Sequence, residues 1–281
     1  PPIPASELDN VVTVRTLDDA DFILDKSCKL GSCICIGGGI LGLEAAGAIA
    51  KSGVKVTLLE GSEWLMPRQL NRKASTILKK YMTDLGIEVR ENVKIEEIVG
   101  NEECEGVRLS NGELLETKLV IITAGVRPNT YLARKAGLEV NMGLVVNNNM
   151  QTSNESIYAA GDVAEHYGTV YGLWNAAQYQ GKVAALNAIG IDAQFEAIPR
   201  SNVLKVLDLD IFSIGEFNPV DGSYYNYEKE TENSYASFVL RDGRIIGSIV
   251  IGNKTLSVKV KQSVEKGLVF PREIYNSFDA I

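Results

Sequence analysis

The sequence predicts an α/β protein, and three observations support this fold class. Strand-like and helix-like segments alternate through the first half of the 281 residues, which is typical of a parallel sheet covered by helices. A glycine-rich turn joins an apolar strand to a helix of small residues within Cys33–Ala46. The end of the chain instead shows two alternating strands, Tyr235–Leu240 and Arg244–Ile251, around Asp242-Gly243. We therefore predict a parallel-sheet domain followed later in the chain by a sheet-rich α+β module.

The glycine-rich turn has the spacing of a dinucleotide-binding fingerprint. Gly37 permits a tight turn, Gly39 lets the backbone approach a pyrophosphate, and Gly42 lets the helix pack closely against the strand. The phosphates of a dinucleotide would then lie at the N-terminus of the helix. The candidate cofactor-binding residues of this turn are Gly37, Gly38, Gly39, Ile40, Leu41 and Gly42. The alternative is a glycine-rich turn that binds no ligand.

The segments that follow the turn argue for the fingerprint. A helix over Leu43–Ser52 is predicted to end at Gly53, and the next strand, Val54–Leu59, ends at Glu60. In dinucleotide-binding folds, a carboxylate at this distance from the glycine turn binds the ribose hydroxyls of adenosine. It would repel a 2′-phosphate, and the nearest guanidinium is that of Arg68. NADH is therefore favoured over NADPH, unless Glu60 is an ordinary solvated acid at the end of a strand.

The next segments complete a Rossmann-type domain with a small antiparallel insertion. A helix over Arg72–Leu85 carries an apolar stripe and ends at Gly86. Asn111-Gly112 is a strong signal for a hairpin turn. Strands are predicted over Ile87–Glu91, Ile95–Val99, Cys104–Leu109, Leu114–Thr117 and Leu119–Ile122.

A second motif follows in Ile157–Glu165, which we interpret as an apolar strand that ends at Gly161 and Asp162. By its chemistry alone it is any strand-to-helix turn capped by the aspartate. Two other stretches make it more specific. One is Thr123–Asn129, at the end of the strand Leu119–Ile122, and the other is Trp174–Asn187, a predicted helix of small and amide residues.

Together these stretches resemble the FAD-dependent pyridine-nucleotide oxidoreductases, over essentially the whole chain from Pro1–Pro4 onward. The resemblance implies that Thr123–Asn129, with Gly125, closes an NAD domain. It also implies that Gly161 and Asp162 lie at the ribityl chain or pyrophosphate of FAD. The implied organisation is a linker or edge of the FAD domain over 1–27, an NAD-binding domain over 28–126, the C-terminal part of a Rossmann-like FAD-binding domain over 127–199, and a C-terminal interface domain over 200–281.

The family has a further glycine fingerprint, for the FAD adenylate, that this sequence does not contain. We therefore expect that an N-terminal FAD-binding segment is missing and that the sequence is the C-terminal portion of a longer polypeptide. An alternative function follows from this expectation. Since Asp162 alone cannot retain FAD, the fragment would bind NADH and catalyse nothing.

The chemistry that the resemblance implies is hydride transfer from nicotinamide C4 to flavin N5, followed by release of electrons to an acceptor. The contribution of the protein is mainly to position two planar rings. Glu44 aligns with the family glutamate that reaches towards the nicotinamide and the flavin, and it is the one candidate catalytic residue. Its alternative role is a carboxylate stabilised by the positive end of the fingerprint helix.

The acceptor is indicated by the histidine content. Disulfide reductases of the family use a histidine near the C-terminus, whereas the single histidine here is His166, which we interpret as a solvated turn residue. This favours a branch that reduces a small electron-carrier protein or a fused redox domain. Leu65–Leu70 resembles the NADH-rubredoxin reductases and the flavoprotein portion of nitrite reductases. The alternative is a peroxide-, oxygen- or CoA-disulfide-reducing enzyme of the same fold.

Composition and charge exclude other classes. The net charge of −8 argues against binding to nucleic acid or to an anionic membrane, and no apolar run is long enough to span a bilayer. The four cysteines form neither a CxxC pair nor a metal set, so no metal site is predicted. Cys33 and Cys35 are expected to be buried in the sheet, and free cysteines suit a reducing cytoplasm. The resemblance also implies a possible homodimer through the C-terminal domain.

Overall fold

The computed structural model describes residues 3–198, 201–206, 208–218, 223–231 and 234–269. These residues form two units, one made of the chain up to Gly125 together with the chain from Ser201 onward, and the other beginning at Val126. Pro1 and Pro2 of the Pro1–Pro4 stretch, and 270–281 of the expected interface domain, lie outside the described residues.

The N-terminal part of the first unit is built around a five-stranded parallel sheet. Its elements, in chain order, are β1 (Val11–Thr13), α1 (Leu17–Leu30), β2 (Ser32–Ile36), α2 (Ile40–Lys51), β3 (Lys55–Leu59), α3 (Arg72–Asp84), β4 (Glu88–Arg90), β5 (Ile95–Gly100), β6 (Cys104–Leu109), β7 (Leu114–Glu116) and β8 (Val120–Ile122). The strand order is β1-β8-β2-β3-β4, and every neighbouring pair is parallel. The predicted alternation of strands and helices is confirmed. Helix α2 starts at Ile40, three residues before the predicted start, because Gly39 already has the extended backbone of an N-cap.

Residues 3–27, within the segment expected to be a linker or the edge of the FAD domain, contain regular secondary structure. This segment contains β1, which pairs with β8 at the edge of the parallel sheet, and most of α1. The signal for α1 is a capping box, in which the Thr16 hydroxyl accepts from the Asp19 amide and the Asp19 carboxylate accepts from the Thr16 amide.

The insertion is a separate three-stranded antiparallel sheet in the order β5-β6-β7. Gly112 adopts the left-handed conformation, with φ of 87°, in the turn between β6 and β7. The predicted hairpin is therefore confirmed.

The second unit contains α4 (Tyr131–Lys135), β9 (Leu144–Val146), a short 3-10 helix at Gly161–Val163, β10 (Ala164–His166) and α5 (Trp174–Ala188). Strands β9 and β10 pair in parallel. The strand predicted before Gly161 is wrong, since Tyr158 makes only an isolated bridge to Gln151 and the strand β10 follows the aspartate instead. The apolar run turns back on the preceding segment, where the Ala159 amide donates to the Met150 carbonyl at 3.0 Å.

The C-terminal part of the first unit is an antiparallel sheet with one helix. It consists of β11 (Ser201–Val206), β12 (Leu209–Gly215), β13 (Tyr225–Glu230), β14 (Tyr235–Arg241), β15 (Arg244–Ile251) and α6 (Lys254–Glu265), with strand order β11-β12-β15-β14-β13. Asp242 and Gly243 both have positive φ, as a two-residue hairpin turn requires, so the predicted pair of strands is confirmed.

The antiparallel and parallel sheets of this unit share one hydrophobic core. Tyr235 and Ile249 are fully buried in the same cluster as Leu58 and Leu78. The Tyr235 hydroxyl accepts a hydrogen bond of 3.0 Å from the side-chain Nδ2 of Asn71, and Asn71 is also the N-cap of α3. In the part of the chain that the structure describes, no helix has the length and apolar character that a membrane crossing needs.

Candidate functional site

The candidate site lies where three neighbouring parallel strands end. Ile36 of β2 is in register with Leu59 of β3 on one side and with Ile122 of β8 on the other. The residues that follow these strands therefore meet at one edge of the sheet, which is where ligands bind in open α/β folds. The structure brings together the glycine turn, Glu60 and Thr123 at this edge.

The first and third glycines of the turn are enclosed by the protein's own backbone. Gly37 has φ of 110°, and a Cβ there would lie 2.7 Å from the Thr123 carbonyl oxygen. A Cβ on Gly42 would overlap the carbonyl oxygen of Gly37 and lie 2.6 Å from Thr123 Oγ1. Only glycine fits at these two positions, because any side chain would displace backbone atoms.

Gly39 differs from these two glycines because it faces open space. Apart from Gly39 itself and its chain neighbours, no heavy atom of the described residues lies within 4 Å of the position that a Cβ would take there. Gly39 is the N-cap of α2, and no side chain caps the helix. The first amides of a helix have no partner within the helix, and its N-terminus carries partial positive charge. This end of α2, with Ile40 and the exposed Leu41, has the features of an anion site.

The carboxylate of Glu60 is held beside the turn by two backbone amides. One oxygen accepts from the Gly38 amide and the other from the Ser62 amide, each at 2.6 Å. A carboxylate oxygen can accept more than one hydrogen bond, so both oxygens remain able to accept from hydroxyl groups. Gly38 is tightly packed here, since a Cβ on Gly38 would lie 2.6 Å from Leu65 and 3.0 Å from Glu60 Oε2.

Glu44 is exposed on α2. Partial desolvation of its carboxyl group raises the pKa of that group. Because α2 starts at Ile40, Glu44 is the fifth residue of the helix and lies beyond its first turn. Stabilisation by the helix dipole acts mainly within the first turn and would lower the pKa. The position of Glu44 beyond the first turn limits this stabilisation, and its role towards the nicotinamide stays a prediction.

Gly125 lies shortly after β8, and Gly161 and Asp162 lie in the second unit. Gly125 is exposed, with φ of 93°. Gly161 has φ of 80°, and its amide donates to Gln180 Oε1 at 2.9 Å. Asp162 follows in the 3-10 helix with an exposed side chain. Gln180 is buried, and its Nε2 has no hydrogen-bond partner among the described residues.

His166 is a buried residue of β10, so its interpretation as a solvated turn residue is wrong. Only 3% of its surface is exposed, and its Nε2 lies 2.9 Å from Asn148 Oδ1. Its ring also meets the ring of Phe195 edge-on, with centroids 5.1 Å apart. Burial lowers the pKa of His166. These partners lie far away in sequence, so the residues next to His166 gave no sign of its burial.

Cys33 and Cys35 are buried in β2 as predicted, and both are free thiols. The neighbouring Cys33 thiol, together with burial, raises the pKa of Cys35. Cys104 is also free and buried, whereas Cys28 is free and exposed on α1.

Two residues that support the candidate turns, Thr123 and Gln180, lie in stretches that the sequence analysis singles out, but it gives neither residue a role of its own. Thr123 Oγ1 lies 2.9 Å from the Ile36 carbonyl oxygen and 3.1 Å from that of Gly37. Gln180 holds the amide of Gly161. Thr123 could have been found as the polar residue that ends β8, and Gln180 as a buried amide in a helix of small residues.

Comparison with known proteins places this geometry in a family. Residues 1–181 match the family model described as pyridine nucleotide-disulphide oxidoreductase, and residues 201–268 match the rubredoxin NAD+ reductase C-terminal domain. The chain belongs to the pyridine nucleotide-disulphide oxidoreductase family. Members of this family use FAD and NAD(H). The resemblance found in the sequence is therefore confirmed.

Two curated relatives are identical to this chain at about a third of the aligned residues. It is 35% identical over 273 residues to the NADH-rubredoxin oxidoreductase of Clostridium acetobutylicum, covering 97% of this chain and 68% of that protein. It is 34% identical over 267 residues to the nitrite reductase [NAD(P)H] of Bacillus subtilis, covering 94% of this chain and 33% of that protein. The chain thus spans about two thirds of the first relative and a third of the second.

Solved structures show the same fold. The crystal structure of the NADH:rubredoxin oxidoreductase from Clostridium acetobutylicum matches with a TM-score of 0.77 and 34% identity, covering 99% of this chain and 71% of that chain. A NAD-dependent persulfide reductase from A. fulgidus matches with a TM-score of 0.85 at 24% identity, covering 96% of this chain and 55% of that chain, which shows the fold alone.

Proposed function

We propose that the chain provides the NADH-binding part of an FAD-dependent oxidoreductase. The enzyme passes a hydride from NADH to the flavin, and electrons then go to a small carrier protein such as rubredoxin or to a fused redox domain. The observation that carries this proposal is the Glu60 carboxylate, which backbone amides hold beside an uncapped helix N-terminus. This arrangement suits a ligand that has ribose hydroxyls next to a pyrophosphate.

The charges near Glu60 favour NADH over NADPH. A 2′-phosphate would meet the Glu60 carboxylate and would need a free guanidinium to balance its charge. Arg72 is instead paired with Glu63 at 2.6 Å, and Arg90 is paired with both Glu88 and Glu113. The guanidinium groups of Arg72 and Arg90 are thus already engaged with carboxylates.

The turn at Gly161 fits the hydroxyl-rich part of a flavin cofactor. Its exposed aspartate can accept hydrogen bonds from hydroxyl groups, and the buried Nε2 of Gln180 is a donor without a partner among the described residues. When bound, the flavin supplies the group that accepts hydride and passes electrons on. In our proposal Gly161 and Asp162 hold this cofactor, Gly125 belongs to the stretch that closes the nucleotide domain, and Glu44 reaches towards the nicotinamide.

The relatives support a carrier protein or a fused redox domain as acceptor. One relative is named for rubredoxin reduction, and the model of a rubredoxin reductase C-terminal domain matches residues 201–268. The nitrite reductase relative is about three times as long as the matched region. A Methanocaldococcus jannaschii protein named NADH oxidase, 33% identical over 288 aligned positions, supports oxygen reduction as the alternative.

We also propose a homodimer through the C-terminal sheet, which analytical ultracentrifugation tests directly.

An absorption spectrum of the purified chain, before and after addition of FAD, tests the proposed cofactor. A flavin band that bleaches when NADH is added without oxygen supports the proposal. A colourless chain that still binds NADH supports the alternative of a nucleotide-binding module without catalysis. A chain that binds neither cofactor contradicts the proposal. Where the flavin is reduced, rates of its reoxidation by rubredoxin and by oxygen then separate the two acceptors.

A further inference from the structure

The side of the glycine turn that faces the sheet is held by one hydroxyl group. Thr123 Oγ1 lies 2.9 Å from the carbonyl oxygen of Ile36 and 3.1 Å from that of Gly37. A hydroxyl has one proton, so it is shared between these two consecutive carbonyl groups. The Thr123 amide also donates to the Ile36 carbonyl at 2.8 Å, which fixes the backbone of Thr123 in place.

The opposite side of the same turn is held by Glu60. The chain has no cis peptide bonds among its described residues, so the carbonyl group of Gly37 and the amide of Gly38 point in opposite directions from one planar unit. The carbonyl faces the Thr123 hydroxyl, and the amide faces Glu60 Oε2 at 2.6 Å. A rotation of this peptide unit would therefore break both contacts together.

We propose that Thr123 is a positioning residue for nucleotide selection, an inference that rests on the proposed NADH-binding function. Its hydroxyl sets the orientation of the Gly37–Gly38 peptide, and the Gly38 amide in turn anchors the Glu60 carboxylate at the place where ribose hydroxyls bind. Thr123 acts from the inner side of the turn, since its atoms are those that a Cβ on Gly37 or Gly42 would meet. The ligand side at Gly39 stays open.

The test compares variants that differ in the hydroxyl group. Thr123→Val removes it with little change in shape, Thr123→Ala removes it together with the methyl group, and Thr123→Ser keeps it. Dissociation constants of the 281-residue chain for NADH and NADPH are measured by calorimetric titration, and circular dichroism monitors folding. We expect Thr123→Val to weaken NADH binding by about tenfold, the effect of one lost hydrogen bond, and to narrow the preference for NADH over NADPH. Thr123→Ser should stay close to the wild type in both values.

A double-mutant cycle with Glu60→Ala tests whether Thr123 acts through the shared peptide. Once Glu60 is gone, Thr123→Val should weaken NADH binding by clearly less than it does in the wild type. Fully additive effects, or a Thr123→Val variant that binds and discriminates like the wild type, would overturn the positioning role. If both hydroxyl-free variants fail to fold while Thr123→Ser folds, the hydroxyl serves folding and the proposal is also overturned. A wild-type chain that binds no NADH overturns the proposed function itself, and the positioning role with it.

Discussion

Gly42 packs so closely on Gly37 that a Cβ on Gly42 would overlap the Gly37 carbonyl oxygen. Gly39 lies between them in the turn, and apart from its chain neighbours no heavy atom of the described residues lies within 4 Å of the position of a Cβ on Gly39. Glycine is therefore required in this turn for two different reasons. At Gly42 the protein's own backbone excludes a side chain, whereas at Gly39 only an incoming ligand would.

This difference predicts opposite results for two alanine variants. Gly42→Ala should lower the free energy of unfolding by about 1–3 kcal/mol, the usual cost of overpacking. Gly39→Ala should cost no more than about 1 kcal/mol, as for a weaker N-cap, but should weaken NADH binding by about tenfold or more. Chemical denaturation and calorimetric titration give the two values. Equal stability of the two variants, or normal NADH binding by Gly39→Ala, would contradict the interpretation.

Removal of the Glu60 carboxylate should change which nicotinamide cofactor binds better. Glu60→Ala is expected to weaken NADH binding by about 10- to 100-fold, since hydrogen bonds to charged groups contribute about 1.5–3 kcal/mol each. NADPH binding should weaken much less, because the same change also removes the repulsion of the 2′-phosphate. Glu97→Ala is a matched control, since Glu97 lies on the insertion and pairs with Arg108. An equal loss of affinity for both cofactors in the Glu60 variant would disprove the ribose assignment.

His166 should make the folded state less stable in mild acid. Burial lowers the pKa of His166, so the unfolded chain binds the proton more readily than the folded chain. The free energy of unfolding should therefore be fully retained above the unfolded pKa of about 6.5 and decline as pH falls towards the folded pKa. As this is the single histidine, its NMR titration is unambiguous. A folded-state pKa at or above the usual value would be inconsistent with the buried position, and His166→Gln should remove this part of the pH dependence.

The cysteines should differ sharply in reactivity. In the native chain one of the four thiols, that of Cys28, is exposed, and the other three are buried in strands. A thiol reagent such as dithionitrobenzoate should therefore modify about one thiol per folded chain quickly, and all four after unfolding. Cys28→Ser should remove the fast phase. Rapid modification of two or more thiols in the folded chain would show that β2 or β6 opens readily.

The sequence was sufficient where the relevant signals are local. The strand before Gly37, the turn at Gly112 and the acid at Glu60 each depend on residues close in the chain, and their predicted positions agree with the structure. The roles of these residues in binding stay predictions. The glycine spacing also predicted the tight packing at Gly42, since that packing is formed within six consecutive residues.

The remaining features depend on contacts between distant residues. His166 is buried by Asn148 and Phe195, and Thr123 holds carbonyl groups that lie 86 and 87 positions earlier in the chain. The strand predicted at Ile157 is wrong because hydrophobicity alone does not distinguish a strand from a segment that turns back on itself. The Ile157 amide donates a hydrogen bond to the Asn154 carbonyl oxygen in a tight turn.

A calorimetric titration of the folded 281-residue chain with NADH tests the central claim most directly. The account predicts saturable binding of one NADH per chain, with clearly weaker binding of NADPH under the same conditions. Absence of any binding heat with millimolar NADH, in a chain that circular dichroism shows to be folded, would contradict it.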